Sequence, residues 1–299
     1  MPKTRLAWAL FLPLIVILLG GAVYGAGSLV SELFQKHAPQ IEEAGLALPL
    51  DLSQTIDGVT VSLERAYVDA NVALVGFTVS GPDEKYQPFF GKLSTADGQN
   101  LPGMIGMGVV PGSKAILGNW QSSERAAVIV SFDASSLKGT PSELSLILEV
   151  NNVADSPIIG ESQIPAGPFR FEFNVPFHGG ETVRIDQTVE AAGVPVTLEQ
   201  VTISPWGVRA VLQTPDSKKY LPITSITLPS GDSVNGALST HTEASIVKYF
   251  MGDFTGQTGE WTFTVKELVL TPESPTAGTH PASDTRRLAG PWVFRFDVP

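Results

Sequence analysis

From about residue 48 onward the chain runs in short alternating stretches. In 170–175, RFEFNV, the apolar Phe171, Phe173 and Val175 alternate with Arg170, Glu172 and Asn174; in 293–298, VFRFDV, Phe294, Phe296 and Val298 alternate with Arg295 and Asp297. Successive side chains of a strand point to opposite faces, so each stretch predicts a strand with one dry and one wet face. Some seven such runs fill each half of the chain, separated by Gly- and Pro-containing turns. Helical-period segments between them, which a parallel α/β fold requires, are not found.

The runs also repeat. AGPFRFEFNVP at 166–176 returns as AGPWVFRFDVP at 289–299. QTIDGVTVSLE from Gln54 returns as QTVEAAGVPVTLE from Gln187, with Gly58 and Gly193 offset by 135; Pro82 and Pro215, like Gly98 and Gly231, are offset by 133. AAVIVSF (126–132) matches ASIVKYF (244–250), and ELSLILEV (143–150) matches EWTFTVKE (260–267). Between Gly98 and AAVIVSF the offset falls to 118, which puts about fifteen extra residues in the first copy, around Met104 to Trp120. The reading is all-β, two tandem immunoglobulin-like antiparallel β-sandwiches at 49–176 and 181–299, joined by a linker at 177–180, with a closed barrel as the alternative. The second copy of the closing phrase is expected to complete the second sandwich. Phe169, Phe171, Phe173, Trp261, Phe263, Trp292, Phe294 and Phe296 are expected in the cores.

The N-terminus has a different pattern. Between Arg5 and Glu32 stand 26 residues without a charge, centred on LAWALFLPLIVILLGGAVYGA. Roughly 20 apolar residues cross a bilayer as a helix. Residues 6–31 are therefore expected to be a transmembrane helix, and 1–5 a cytoplasmic stub held inside by Lys3 and Arg5. Residues 32–48 are expected to form a juxtamembrane stalk, and the rest lies outside. A signal peptide cleaved near Ala26, giving a secreted protein, is the alternative.

Composition narrows the function classes. With 43% hydrophobic residues over 299 positions, the chain can build real cores. It has no cysteine, so disulfides, thiolate metal sites and a cysteine nucleophile are excluded. Setting aside Lys3 and Arg5 leaves 17 basic against 30 acidic residues, a net charge of −13 for the outer part. Such a surface repels nucleic acid. His37, His178, His241 and His280 show no metal-ligand spacing, and no serine sits in a nucleophile elbow or has a histidine partner in sequence. No cofactor, no metal and no enzyme activity are expected.

At this point the chain resembles a family. The stretch QTIDGVTVSLERAYVD, 54–69, following a single apolar span, is similar to the extracytoplasmic DUF4179 domain, and the second copy, opening QTVEAAGVPVTL, is similar to the DUF5643 domain. The resemblance implies a bacterial single-pass membrane protein associated with ECF-type sigma-factor regulation. Members that inhibit sigma factors carry a cytoplasmic sigma-binding segment, which the short residues 1–5 do not match, so direct inhibition is not expected.

The expected role is thus a membrane-anchored, extracytoplasmic interaction or sensory-accessory module. Its partners are the lipid bilayer, through residues 6–31, and envelope proteins. A glycan- or small-ligand-binding module is the alternative. Met104, Met107 and Trp120, in the extra segment of the first copy, are the candidate interaction loop, because an aromatic on a loop can stack on a sugar or fill a partner's pocket.

Overall fold

The computed structural model describes residues 28–81, 87–88, 92–109, 126–137, 139–150, 153–154, 167–270 and 286–299. The first elements are two short helices, α1 (Leu29–His37) and α2 (Pro39–Glu43). Strands follow without interruption by further described helices. The first unit holds β1 (Leu48–Ile56), β2 (Val59–Val68), β3 (Val72–Ser80), β4 (Gln87–Pro88), β5 (Lys92–Thr95), β6 (Asn100–Leu101), β7 (Gly103–Val109), β8 (Ala126–Asp133), β9 (Glu143–Val150), β10 (Val153–Ala154) and β11 (Phe169–Pro176). The second holds β12 (Glu181–Ala191), β13 (Val194–Ser204), β14 (Gly207–Gln213), β15 (Tyr220–Thr227), β16 (Ser233–Asn235), β17 (Leu238–His241), β18 (Ile246–Met251), β19 (Gly259–Leu270) and β20 (Arg287–Val298).

All strand pairs within these sheets are antiparallel, and the two units share one order. Sheet β1-β2-β3-β8-β7 corresponds to β12-β13-β14-β18-β17, and β11-β9-β5-β6 to β20-β19-β15-β16. A small β10-β4 pair is added to the first unit. The repeated sequence phrases occupy matching places. The opening hairpins both turn through two residues of positive φ, Asp57-Gly58 and Ala192-Gly193. That geometry matches the right-handed twist of the flanking strands and favours glycine at the second position. Both hairpins also carry a register shift in their first strand, between Pro49 and Leu52 and between Arg184 and Gln187.

In each unit the first strand runs beside the last. Gln54 donates to the carbonyl of Arg170 and accepts from its amide at 3.0 Å, while Gln187 donates to the carbonyl of Arg295 at 3.0 Å. These side chains tie β1 to β11 and β12 to β20 along one side of each sandwich. Inside lie two separate cores. The first is built on Val61, Phe77, Phe132, Leu148, Phe169 and Phe171; the second on Leu198, Phe250, Trp261, Phe263, Trp292 and Phe294. Every aromatic residue expected in a core is there, none more than 8% exposed. Apolar burial of this kind contributes about 25 cal/mol per Å² and is the main source of stability in a chain without disulfides.

The N-terminal segment differs from a stalk that continues a membrane helix. Ser28 is in an extended conformation (φ −68°, ψ 147°), and its side chain accepts from the amide of Ser31 at 3.0 Å. This is an N-cap, so α1 starts afresh at Leu29. Ser31 Oγ donates to Glu42 Oε1 at 2.6 Å, and Glu42 also pairs with Arg65 of β2 at 3.1 Å. The helices are thereby folded onto the first unit. Val30 and Phe34 are fully buried against β3, and the approach is so close that a Cβ on Gly76 would lie 2.3 Å from Val30 Cγ1. Leu29–Ser31 accordingly belong to this body. Residues 1–27 of the expected span 6–31 lie outside the described residues, and among the described residues no helix is long and apolar enough to cross a membrane.

Candidate functional site

Two equivalent turns meet where the units join. The β2–β3 turn, Asp69-Ala70-Asn71, and the β13–β14 turn, Ser204-Pro205-Trp206, occupy the same place in the repeated topology, again offset by 135. Asp69 is fully buried. Its carboxylate accepts from Tyr67 Oη (2.6 Å), the amides of Asn71 (2.8 Å) and Val72 (2.9 Å), and the amide of Trp206 across the joint (3.0 Å). Asn71, equally buried, donates through Nδ2 to the carbonyls of Thr202 (3.1 Å) and Gly207 (3.0 Å) and to Ser204 Oγ (2.9 Å). Of the side-chain polar atoms of Asp69 and Asn71, Asn71 Oδ1 alone is left buried without a partner among the described residues. Breaking a buried hydrogen bond costs roughly 1–3 kcal/mol, so the bonds made by the Asp69 carboxylate and by Asn71 Nδ2 hold the two turns in their relative placement.

The linker is drawn into the same joint. His178 donates its amide to the Val68 carbonyl (3.0 Å), Gly179 accepts from Ala70 (3.0 Å), and the His178 ring stacks on Tyr67 at 5.2 Å. The helices close the remaining side: Gln40 Nε2 donates to the Trp206 carbonyl at 2.8 Å. Around these contacts lies a third apolar core. It takes Phe34 and Ile41 from the helices, Tyr67 and Leu74 from the first unit, and Trp206 and Tyr249 from the second.

Burial dominates the titration of the joint. It raises the Asp69 carboxyl above its ordinary value, against the opposing effect of the donors around it. Burial and then the Asp69 charge raise the Tyr67 phenol. Burial and the first unit's Asp133 raise Tyr249 in the second unit. The arrangement binds two domains and a helical pair.

The residues singled out in the sequence fall elsewhere. Met104 and Met107 lie on β7, the outer strand of its sheet, and Trp120 lies outside the described residues. The chain that holds Trp120 leaves β7 at Val109 and returns into β8 at Ala126. Val109 is paired with Ala127, and Ala126 with Val79. These positions mark the end of the first unit remote from the joint, since the joint lies at the Val68–Val72 end of β2 and β3. Among the described residues no three of His, Asp and Glu gather as a metal site. His37 closes α1, where burial and Lys36 lower its pKa, and His241 Nδ1 lies 2.7 Å from the Ser217 carbonyl. His280 lies outside the described residues.

Two features escaped the sequence reading. Tyr67 and Asp69 stand inside the quoted stretch 54–69, but nothing in a linear pattern marks the turn after β2 as an inter-unit contact. Lys248 is the other. The matched pair AAVIVSF and ASIVKYF places Lys248 opposite Val130, a core position of the first unit, and that mismatch was the available signal.

No family model matches the chain, and no curated protein matches it. Among solved structures it is similar to "the conserved domain protein from Bacillus anthracis", with a TM-score of 0.60 and 10% sequence identity over 85% of this chain and 91% of that one. A match of that breadth takes in both units. At that identity the likeness is one of fold.

Proposed function

We propose that the chain is a single-pass, membrane-anchored extracytoplasmic protein of a bacterial envelope, whose paired sandwiches serve as an interaction or sensory-accessory module. The observation that carries this reading is the break at Ser28. Because α1 is capped there and belongs to the folded body, the uncharged run that remains for a membrane span is 6–27, whose 22 residues still match the roughly 20 needed. The body then begins one residue beyond the span, without a flexible stalk between. Its acidic outer surface and the Lys3 and Arg5 ahead of the run support the orientation with the units outside.

Each unit is read as immunoglobulin-like in the sense of two packed antiparallel sheets, and the pair as a duplication, supported by the shared strand order. The resemblance to DUF4179 and DUF5643 supports the bacterial envelope setting. The proposed interaction surface is the remote end of the first unit, where β7 ends at Val109 and the segment bearing Trp120 is rooted; Met107 lies midway along β7, and Met104 toward its joint end. Envelope proteins are the proposed partners.

The test is fractionation and crosslinking in intact cells. The protein is expected to stay with membranes through a carbonate wash, to be cut by protease added outside, and to crosslink to envelope proteins from a residue near Trp120. A soluble mature protein beginning near Ala26 would overturn the anchor. Selective binding to glycans, with no protein crosslinked, would replace the interaction module with a glycan-binding one.

A further inference from the structure

Lys248 lies on the face of β18 that carries Ile246 and Phe250 into the second core, and it is 5% exposed. Its Nζ donates to Ser239 Oγ at 2.5 Å, and Ser239 is its cross-strand partner on β17. In the first unit the corresponding pair is Val130 opposite Gly106. The lysine and the serine are thus introduced together, in one copy only. Burial lowers the Lys248 pKa from its ordinary 10.5, and no carboxylate among the described residues acts against it. Beside the pair, Thr224 Oγ1 is buried and without a partner among the described residues. A Cβ on Gly236 would lie 2.5 Å from that oxygen and 3.0 Å from Lys248 Cε, so hydroxyl and lysine stem flank one point. The half-buried Ser239 sits on β17, which ends its sheet among the described residues, and such an edge next to the hydroxyl can take an extended chain.

We propose that Ser239 and Lys248 form a serine–lysine acyl-transfer pair acting on an ester carried by an extended chain laid along the free edge of β17. This goes beyond the binding role and departs from the expectation that the chain has no enzymatic chemistry. Lys248, as the neutral amine, takes the hydroxyl proton while Ser239 Oγ attacks the ester carbonyl. The carbon–oxygen bond to the alcohol breaks, and the departing oxygen takes the proton back from Lys248, leaving an acyl ester on Ser239. Water, giving its proton to Lys248, then attacks the acyl carbon. Ser239 Oγ leaves with that proton and the acid is released. The sum is ester plus water to acid plus alcohol, with no oxidant or reductant.

The experiment treats the purified full-length chain in detergent with a fluorophosphonate probe and locates the adduct by peptide mass spectrometry. It needs neither a membrane nor an envelope partner, so its outcome is independent of the role proposed above. The expected adduct is on Ser239, absent in Ser239→Ala and formed about a hundredfold more slowly in Lys248→Met. The labelling rate should rise with pH through a midpoint below 10.5, the ordinary lysine value. Lys248→Met places an apolar side chain where the first unit has Val130, so the fold is retained and the thermal unfolding temperature is checked alongside. A folded protein with Ser239 unlabelled, or labelled equally fast in Lys248→Met, overturns the proposal.

Discussion

The two units share a strand order yet solve different packing problems. In the first, β3 is buried along nearly its whole length on both faces, because the inner face meets the core and the outer face meets α1. Gly76 is the point of closest approach. The equivalent residue of the second unit is Val211, where no described helix lies above the sheet and a side chain fits. The second unit fills its core with Trp261 and Trp292 and a chain of ring contacts among Phe250, Phe263 and Phe294. It also admits Lys248 where the first keeps Val130. One backbone plan has therefore been adapted once to carry a helical pair and once to hold a polar pair at its rim.

The closing strand offers the largest way to break this comparison. Trp292 is fully buried and its Nε1 donates to the Val194 carbonyl at 2.8 Å, tying β20 to the opening hairpin. Trp292→Ala should cost the second unit about 3–5 kcal/mol. Calorimetry should show the second unit's transition moved far down while the first unit's remains. Removing residues 291–299 should abolish that transition altogether.

Next in size is the glycine beneath α1. Gly76→Ala forces its new Cβ into Val30 and Phe34, and the cost expected from overpacking is about 1–3 kcal/mol, read by urea unfolding. Val211→Ala, at the matching place, creates only a small loss, so the two substitutions should differ in mechanism: the first frees α1 to proteolysis and the second does not.

The joint gives a comparable or smaller effect with a pH signature. Asn71→Ala removes the three hydrogen bonds made by Nδ2, while the Ser204 hydroxyl keeps its bond to the Gly207 carbonyl, so the cost is expected at about 1–3 kcal/mol. For Asp69 the folded pKa is raised above the ordinary 3.8, so the folded protein holds the proton more tightly than the unfolded chain. The linked stability is full below 3.8 and is lost as pH rises through the raised value. Asp69→Asn should flatten that fall in stability, measured by thermal unfolding across the acid range. The smallest effect is Lys248→Met, expected to leave stability unchanged or slightly higher, since it removes a desolvated amine.

Much of the fold was legible because its signals are local. Alternation in RFEFNV and VFRFDV set the faces of β11 and β20, and the offsets of Gly58, Gly98 and their counterparts placed the repeat. The joint was not legible, because hydrogen bonds between residues 71 and 202–207 depend on how two finished sandwiches meet. The helical pair was misjudged for a related reason: GSLVSELF has enough apolar residues to extend a membrane helix, and only the Ser28 cap and the glycine in β3 reveal that it packs elsewhere. The unbroken apolar run VALVGFTV of β3 was the signal that both its faces are covered.

The central claim is that 29–43 form part of one folded body with the two units. Hydrogen exchange of the full-length protein tests it most directly. Amides of α1 should be protected within about an order of magnitude of those in β3, on which they rest. Free exchange of residues 29–43 while β2, β3 and β14 remain protected would contradict the account.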